Sequence, residues 1–190
     1  MEETGKPGFS DQELIERIGA PFEQDIKYFF GESQSEQVKL FSKLIQKYWI
    51  DGMKESAQTF EGIHQMLEEL KEKGYKLAIC SNASKWELDV ILSKLEVKDY
   101  FDVIQGVTEK NNKMYSLEEL LLREKPELAV MVGDRSYDKE AARYNQIPFV
   151  GCKYGYGKPE ELSDCKYSIE TALELPRIID KIVSVKGGAA

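Results

Sequence analysis

The stretch "VMVGDRSYDKEAARYNQIPFVG", Val130–Gly151, decides how this chain is read. An apolar run, "LAVMVG", ends at Gly133, and two aspartates follow four residues apart, Asp134 and Asp138. Residues 137–145 carry a helical pattern, and a second apolar run, "PFVGCKYG", begins at Pro148. Two such runs joined through a helix make a parallel strand–helix–strand unit, because parallel neighbours need a long crossover. The acid pair then stands just past the carboxyl end of a buried strand.

Working outward, the same alternation extends over residues 56–186. Ile63, Met66, Leu67 and Leu70 mark a helix stopped by Gly74. "YKLAICS" reads as a strand. Ser84-Lys-Trp-Glu87 caps a helix with Leu88, Ile91, Leu92 and Leu95 on its apolar face, and "YFDVIQGV" is another strand. A helix is expected over 113–124, a short strand at "KYSI" and a last helix over 176–185. Near-continuous apolar strands between helices imply a parallel α/β sheet covered on both faces. Residues 1–55 hold helical patterns only. Ser10-Asp-Gln-Glu13 and Ser33-Gln-Ser-Glu36 are capping boxes. Ile26, Phe29 and Phe30 mark a second helix, and Val38, Phe41, Leu44, Ile45 and Tyr48 a stripe on a third, which is expected to end at Asp51-Gly52. The division is therefore a helical region, 1–55, an α/β core, 56–186, and a disordered tail, 187–190.

Composition narrows the function. The chain has 190 residues, 42% hydrophobic and 32% charged, with net charge −8. An acidic surface repels phosphate backbones, which argues against nucleic acid as the main partner. No apolar run approaches the roughly 18 residues of a membrane span. The polar, acidic start resembles no signal or transit peptide, and three widely spaced cysteines read as reduced thiols, so a cytoplasmic protein is expected. Cys80 and Cys152 lie in apolar runs and read as small buried hydrophobes. One histidine, His64, excludes a multi-histidine metal site.

Ligands of open parallel sheets bind beyond the carboxyl ends of the strands. Ser81-Asn82 stands at one such end. Its hydroxyl, amide and free N–H groups suit phosphate oxygens, and they equally suit a turn or a helix cap. A carboxylate at Asp138 is favoured by the helix start alone. Asp134, closing so apolar a strand, calls for a partner or a metal, and hard carboxylates suit Mg²⁺. Lys113 opens its helix against the dipole, which is reasonable if its ammonium reaches inward to a phosphate or carboxylate. Lys110 is its rival.

Ser81-Asn82, then Lys113, then Gly133-Asp134-Arg135-x-x-Asp138, in that order, resemble three of the four motifs of the haloacid-dehalogenase superfamily. The resemblance is strongest to the phosphoglycolate-phosphatase-like branch. It includes "YKLAICSNAS", "YFDVIQG" and "GCKYGYG", and the region before residue 55 resembles that branch's helical cap, with "RIGAPFEQ" facing the substrate. The resemblance implies a Rossmann-like sheet with a cap and a Mg²⁺-dependent phosphatase acting on a small phosphorylated metabolite. Asp134 would hold the metal, and Asp138 would support it or position Lys113. Ser81, Asn82 and Lys113 would bind the phosphoryl group, and Arg17 is a weaker candidate for substrate contact.

The family's first motif, Asp-x-Asp-Gly-Thr, is absent from these residues. Its first aspartate is the nucleophile that forms a phosphoaspartate, and its second is the general acid and base. Asp51-Gly52 is no substitute, because Trp49 and Met53 stand where Asp and Thr are needed. In the family that motif ends a central strand between those here ending at Ser81 and Asp134. Without it, the two strands must pair directly or stand roughly twice the usual 4.8 Å apart, with unpaired edge groups costing on the order of 1–3 kcal/mol each where buried. The expectation is a chain truncated by roughly 25–40 residues, with little or no turnover. The alternative is a non-catalytic phosphate-binding or regulatory protein. A receiver or flavodoxin-like domain fits less well, since neither calls for a helical block before the sheet.

Overall fold

Ser10 and Glu13 exchange hydrogen bonds with each other's backbone and open α1 (Asp11–Ile15) as a complete capping box. The computed structural model describes residues 8–31, 36–110 and 112–187. After α1 come α2 (Phe22–Phe30) and α3 (Glu36–Ser56). The box expected at Ser33–Glu36 falls outside the described residues. The expected stop at Asp51-Gly52 is corrected: α3 runs through Gly52 to Ser56. One glycine costs a helix only about 1 kcal/mol, and here α3 continues past it while Trp49 packs on Trp86 at 6.0 Å.

The core follows in the expected order: α4 (Ile63–Glu72), β1 (Ala78–Cys80), α5 (Lys85–Lys94), β2 (Val103–Gln105), α6 (Lys113–Glu124), β3 (Met131–Gly133), α7 (Ser136–Tyr144), β4 (Phe149–Cys152), β5 (Tyr167–Ile169) and α8 (Leu175–Gly187). Gly74, at φ +80°, follows α4 in the left-handed region, where glycine carries no Cβ penalty. Ser84 and Glu87 form the second complete capping box at α5. The tail expected from 187 is corrected at its first residue, because α8 extends to Gly187.

Alternating strand residues feed two cores, as the period-2 geometry of strands requires. Ile79, Val130, Val132, Val150 and Ile169 pack with α4, α5 and α8, while Cys80, Met131 and Phe149 pack with α6 and α7. The sheet is thus covered on both faces. Every strand pairing is parallel. The strands nevertheless form two ladders, β1-β2 and β3-β4-β5. Among the described residues β1 and β3 do not pair, so each presents one edge without a strand partner. Of the two outcomes open to the sequence, direct pairing or separation, the fold shows separation.

Candidate functional site

The loops at the carboxyl ends of β1 and β3 converge on one segment of the helical region. Asn82 Nδ2 donates to the Gly19 carbonyl at 3.0 Å. Arg135 donates through Nη2 to the Glu16 carbonyl at 3.2 Å and through Nη1 to the Ile18 carbonyl. The polar residues that close the two strands therefore meet over residues 16–19.

Lys113 and Asp138, 25 residues apart in sequence, form the most enclosed ion pair of the site. Nζ stands 2.5 Å from Oδ1, with the side chains 14% and 7% exposed. Asp138 Oδ2 accepts from the Arg135 N–H at 3.0 Å, so both carboxylate oxygens are occupied. Gly133 makes this possible: a Cβ there would collide with the Asp138 carboxylate. The pair stands close to β1, whose Cys80 packs against the cluster formed by α6 and α7. Burial pushes that thiol up to about 11, with Asp138 adding to the rise and Lys113 opposing it. Burial also pushes Cys152 up to about 11. Both remain thiols at neutral pH, which suits packing and not nucleophilic attack. Lys110, the rival lysine, lies 4.7 Å over the Tyr115 ring.

Asp134 is held by the loop after β4. Its Oδ2 accepts from the Tyr156 N–H at 2.6 Å. Gly155 and Gly157 permit this approach, since a Cβ at either would run into Asp134, its side chain in one case and its carbonyl in the other. Ser81 Oγ accepts from the Ala83 N–H at 3.1 Å, a local turn, and the Ser81 N–H donates to Gln105 across the ladder at 3.0 Å. Gly106, after β2, packs against this loop, with room for no Cβ beside the Ala83 carbonyl at 2.5 Å. Arg17 reaches neither strand end through a hydrogen bond among the described residues. It pairs with Asp25 at 2.7 Å and lies 5.1 Å over the Tyr28 ring.

Arg135 and Glu161 are the residues that sequence reasoning missed. Glu161 accepts from the Ser136 N–H at 2.7 Å, the Lys158 N–H at 3.1 Å and Arg135 Nε at 3.3 Å. Burial by itself would raise its pKa, but these hydrogen bonds and the Arg135 charge hold it below the usual carboxylate range. The glycines of "YGYG" were the available signal, because small residues in a polar loop mark a close backbone approach.

Mg²⁺ asks for hard oxygen donors in octahedral array. Asp134 keeps Oδ1 free of hydrogen bonds among the described residues, while each Asp138 oxygen already accepts one. Among the described residues no three His, Cys, Asp or Glu side chains converge. At these strand ends Asp134 would thus give the ion one carboxylate oxygen, with its remaining positions left to water and substrate oxygens. No helix among the described residues is long and apolar enough to cross a membrane.

A family model of haloacid dehalogenase-like hydrolases matches residues 1–152. A phosphoglycolate phosphatase of Salmonella typhi is 30% identical over 154 residues, covering 74% of this chain and 61% of that protein. The phosphoglycolate phosphatase of Escherichia coli (strain K12) is 30% identical over 132 residues, covering 67% of this chain and 52% of its own length. The chain thus spans between half and two thirds of these curated relatives. Among solved structures, a predicted phosphatase from Clostridium acetobutylicum superposes with TM-score 0.83 at 22% identity, covering 95% of this chain and 86% of that one. A predicted phosphoglycolate phosphatase from Haemophilus somnus 129pt gives 0.80 at 20% identity, covering 94% and 86%. At these identities the superpositions bear on fold alone.

Proposed function

Because the chain belongs to the haloacid dehalogenase-like hydrolases, we propose that its strand ends bind the phosphoryl group of a small phosphate monoester, of the phosphoglycolate type that its curated relatives are named for. The observation that carries this reading is the Lys113–Asp138 pair, a cation kept 14% exposed and fixed beside the ends of β1 and β3. Placed charge of this kind is most of what phosphoryl-transfer sites supply. Lys113 neutralises phosphoryl oxygens, and Asp138 holds Lys113 in place. Ser81 can turn its hydroxyl proton toward the same oxygens, and Asn82 offers its amide once released from Gly19. Asp134 offers Mg²⁺ one carboxylate oxygen, and the bound ion would add Lewis-acid charge.

Turnover is a separate matter. The 190 residues contain no Asp-x-Asp pair, and Asp138, tied to Lys113, is not free to attack phosphorus. This chain is expected to hydrolyse a generic phosphate ester with Mg²⁺ at little above the rate without protein. Ordinary phosphatase rates in that assay, abolished by Lys113→Met, would reveal another nucleophile. The same absence favours a second reading, a phosphate-binding protein without catalysis. Calorimetry with inorganic phosphate and Mg²⁺ separates the two from an inert fold: binding lost in Lys113→Met supports a phosphate site, and no heat from either ion removes both readings.

A further inference from the structure

We propose that Arg135 is a latch that holds residues Glu16–Gly19 closed over the Ser81–Asn82 loop. The argument begins with α1. It has five residues, no buried side chain and no basic residue in its last turn. So short a helix is not stable by itself. Its last carbonyls are met within the segment, Gln12, Leu14 and Ile15 accepting from the N–H groups of Glu16, Arg17 and Ile18, but the carbonyls just beyond it draw their donors from the core. The guanidinium of Arg135 donates to the carbonyls of Glu16 and Ile18 just beyond α1, placing a cation at the negative end of the helix.

Arg135 is built to do this. Its side chain is 11% exposed. Its stem passes between two glycines, one from each region: a Cβ at Gly19 would stand 3.4 Å from Cγ, and one at Gly157 3.5 Å from Cδ. Glu161 fixes Nε, and the Tyr137 ring lies 5.7 Å from the guanidinium carbon. The planar fork serves a carboxylate and two carbonyls from three separate nitrogens, where lysine offers all its donors from one. Weaker ties join the same segment: Lys158 to Glu16 at 3.0 Å and Tyr137 to Gln24 at 2.9 Å.

The closed arrangement also carries a cost. Asn82 Oδ1 and Arg17 Nη2 are buried without a hydrogen-bond partner, and unpaired buried polar atoms favour opening. Closure therefore stands as a balance between the Arg135 bonds and these two unmet atoms. Lifting residues 16–19 releases the Asn82 amide from Gly19 and uncovers the loop at the end of β1. This device does not depend on the phosphatase reading, because it is measured without any substrate.

The test is hydrogen–deuterium exchange on the whole chain, read by peptide. In Arg135→Gln the amides of residues 11–30 are expected to exchange about tenfold faster or more, since two charge-assisted bonds are lost. Those of α4 and β4 should keep their rates. Arg135→Lys should fall between, and Glu161→Gln should show a smaller change in the same segment. Wild-type protection of residues 11–30 in Arg135→Gln overturns the latch. If Arg135→Gln instead loosens the entire chain, the two milder variants decide: loosening confined to residues 11–30 supports the proposal, and uniform loosening or none overturns it.

Discussion

The helical region and the α/β core carry similar apolar stripes, yet they bury them very differently. Among the described residues from 8 to 56, Pro21 and Phe30 alone are buried. Every other buried hydrophobic side chain lies between Met66 and Ile182. Ile45 and Tyr48 of the α3 stripe remain 37% and 54% exposed, and Val38, Phe41 and Leu44 are only half-buried. What packing the helical region has is mostly aromatic, with Phe9 on Phe29 at 4.7 Å and Phe30 on Phe41 at 5.0 Å. Its attachment to the strand ends is largely polar, through Arg135, Asn82, Tyr137 and Lys158. A stripe of the right period makes a helix amphipathic. Burial additionally needs a second layer to receive it, and only the core has both layers.

The comparison is broken most severely in the core. Lys113→Met leaves the Asp138 carboxylate enclosed and without its cation, and a broken buried pair costs about 3–5 kcal/mol. Urea unfolding of the α/β core measures it, and adding Asp138→Asn should recover part of the loss. A cost under about 1 kcal/mol would show that the pair behaves as a solvated one.

Ile169→Ala comes next. Ile169 is 1% exposed on β5, and truncating an isoleucine in such a place costs about 2–5 kcal/mol. The main unfolding transition should fall accordingly. Phe30→Ala is the matched change in the helical region, and it should speed exchange over residues 22–30 while leaving that transition nearly in place. If both variants shift the main transition equally, the two regions unfold as one and the contrast drawn above is wrong.

Gly155→Ala should have a smaller effect, about 1–3 kcal/mol of overpacking, because the new methyl group would meet the Asp134 side chain. Its more specific consequence is a displaced Asp134, seen as weaker Mg²⁺ binding in calorimetry where wild type binds at all. Unaltered stability would show that the loop after β4 gives way freely.

How much of this was legible follows from how local each cause is. The capping boxes at Ser10 and Ser84 and the bounds of α6 are set by residues three or four apart, and the sequence displays them directly. The end of α3 was misplaced because Gly52 weakens a helix without ending it when the segment goes on packing, as Trp49 does on Trp86. Lys113 and Asp138 were each singled out by helix electrostatics, but their contact is a property of the folded sheet, in which α6 and α7 are brought side by side. Arg135 and Glu161 left no trace in any periodicity. Charged residues in polar loops read as solvated until the backbone shows what faces them. Separation of β1 from β3 is one of two outcomes the strand count permits, and long-range packing, which no local pattern displays, decides between them.

The mildest way to sharpen the contrast is to change pH, because two carboxylates of these regions respond in opposite directions. Glu161, at the junction, is held below the usual range despite its burial, chiefly by the Ser136 and Lys158 N–H groups. Its contribution to stability is present above the unfolded glutamate value, about 4.3, and is lost as pH falls through the lower folded value. Asp25, inside the helical region, is shifted up by burial, which the Arg17 pairing does not offset. Its contribution is present below the unfolded aspartate value, about 3.9, and is lost as pH rises through the higher folded one. Acidification from pH 6 toward pH 3 should therefore loosen residues 16–19 from the core while the contact of the same segment with α2, through Arg17 and Asp25, holds or tightens. Exchange rates corrected for intrinsic pH dependence would report this. Glu161→Gln should reduce the acid response at the junction, leaving the part carried by Glu16, which its Lys158 partner also holds below the usual range, while Asp25→Asn abolishes the opposite one. Parallel loosening of both contacts would mean that acid acts through general charge repulsion, and that the two regions differ in packing alone.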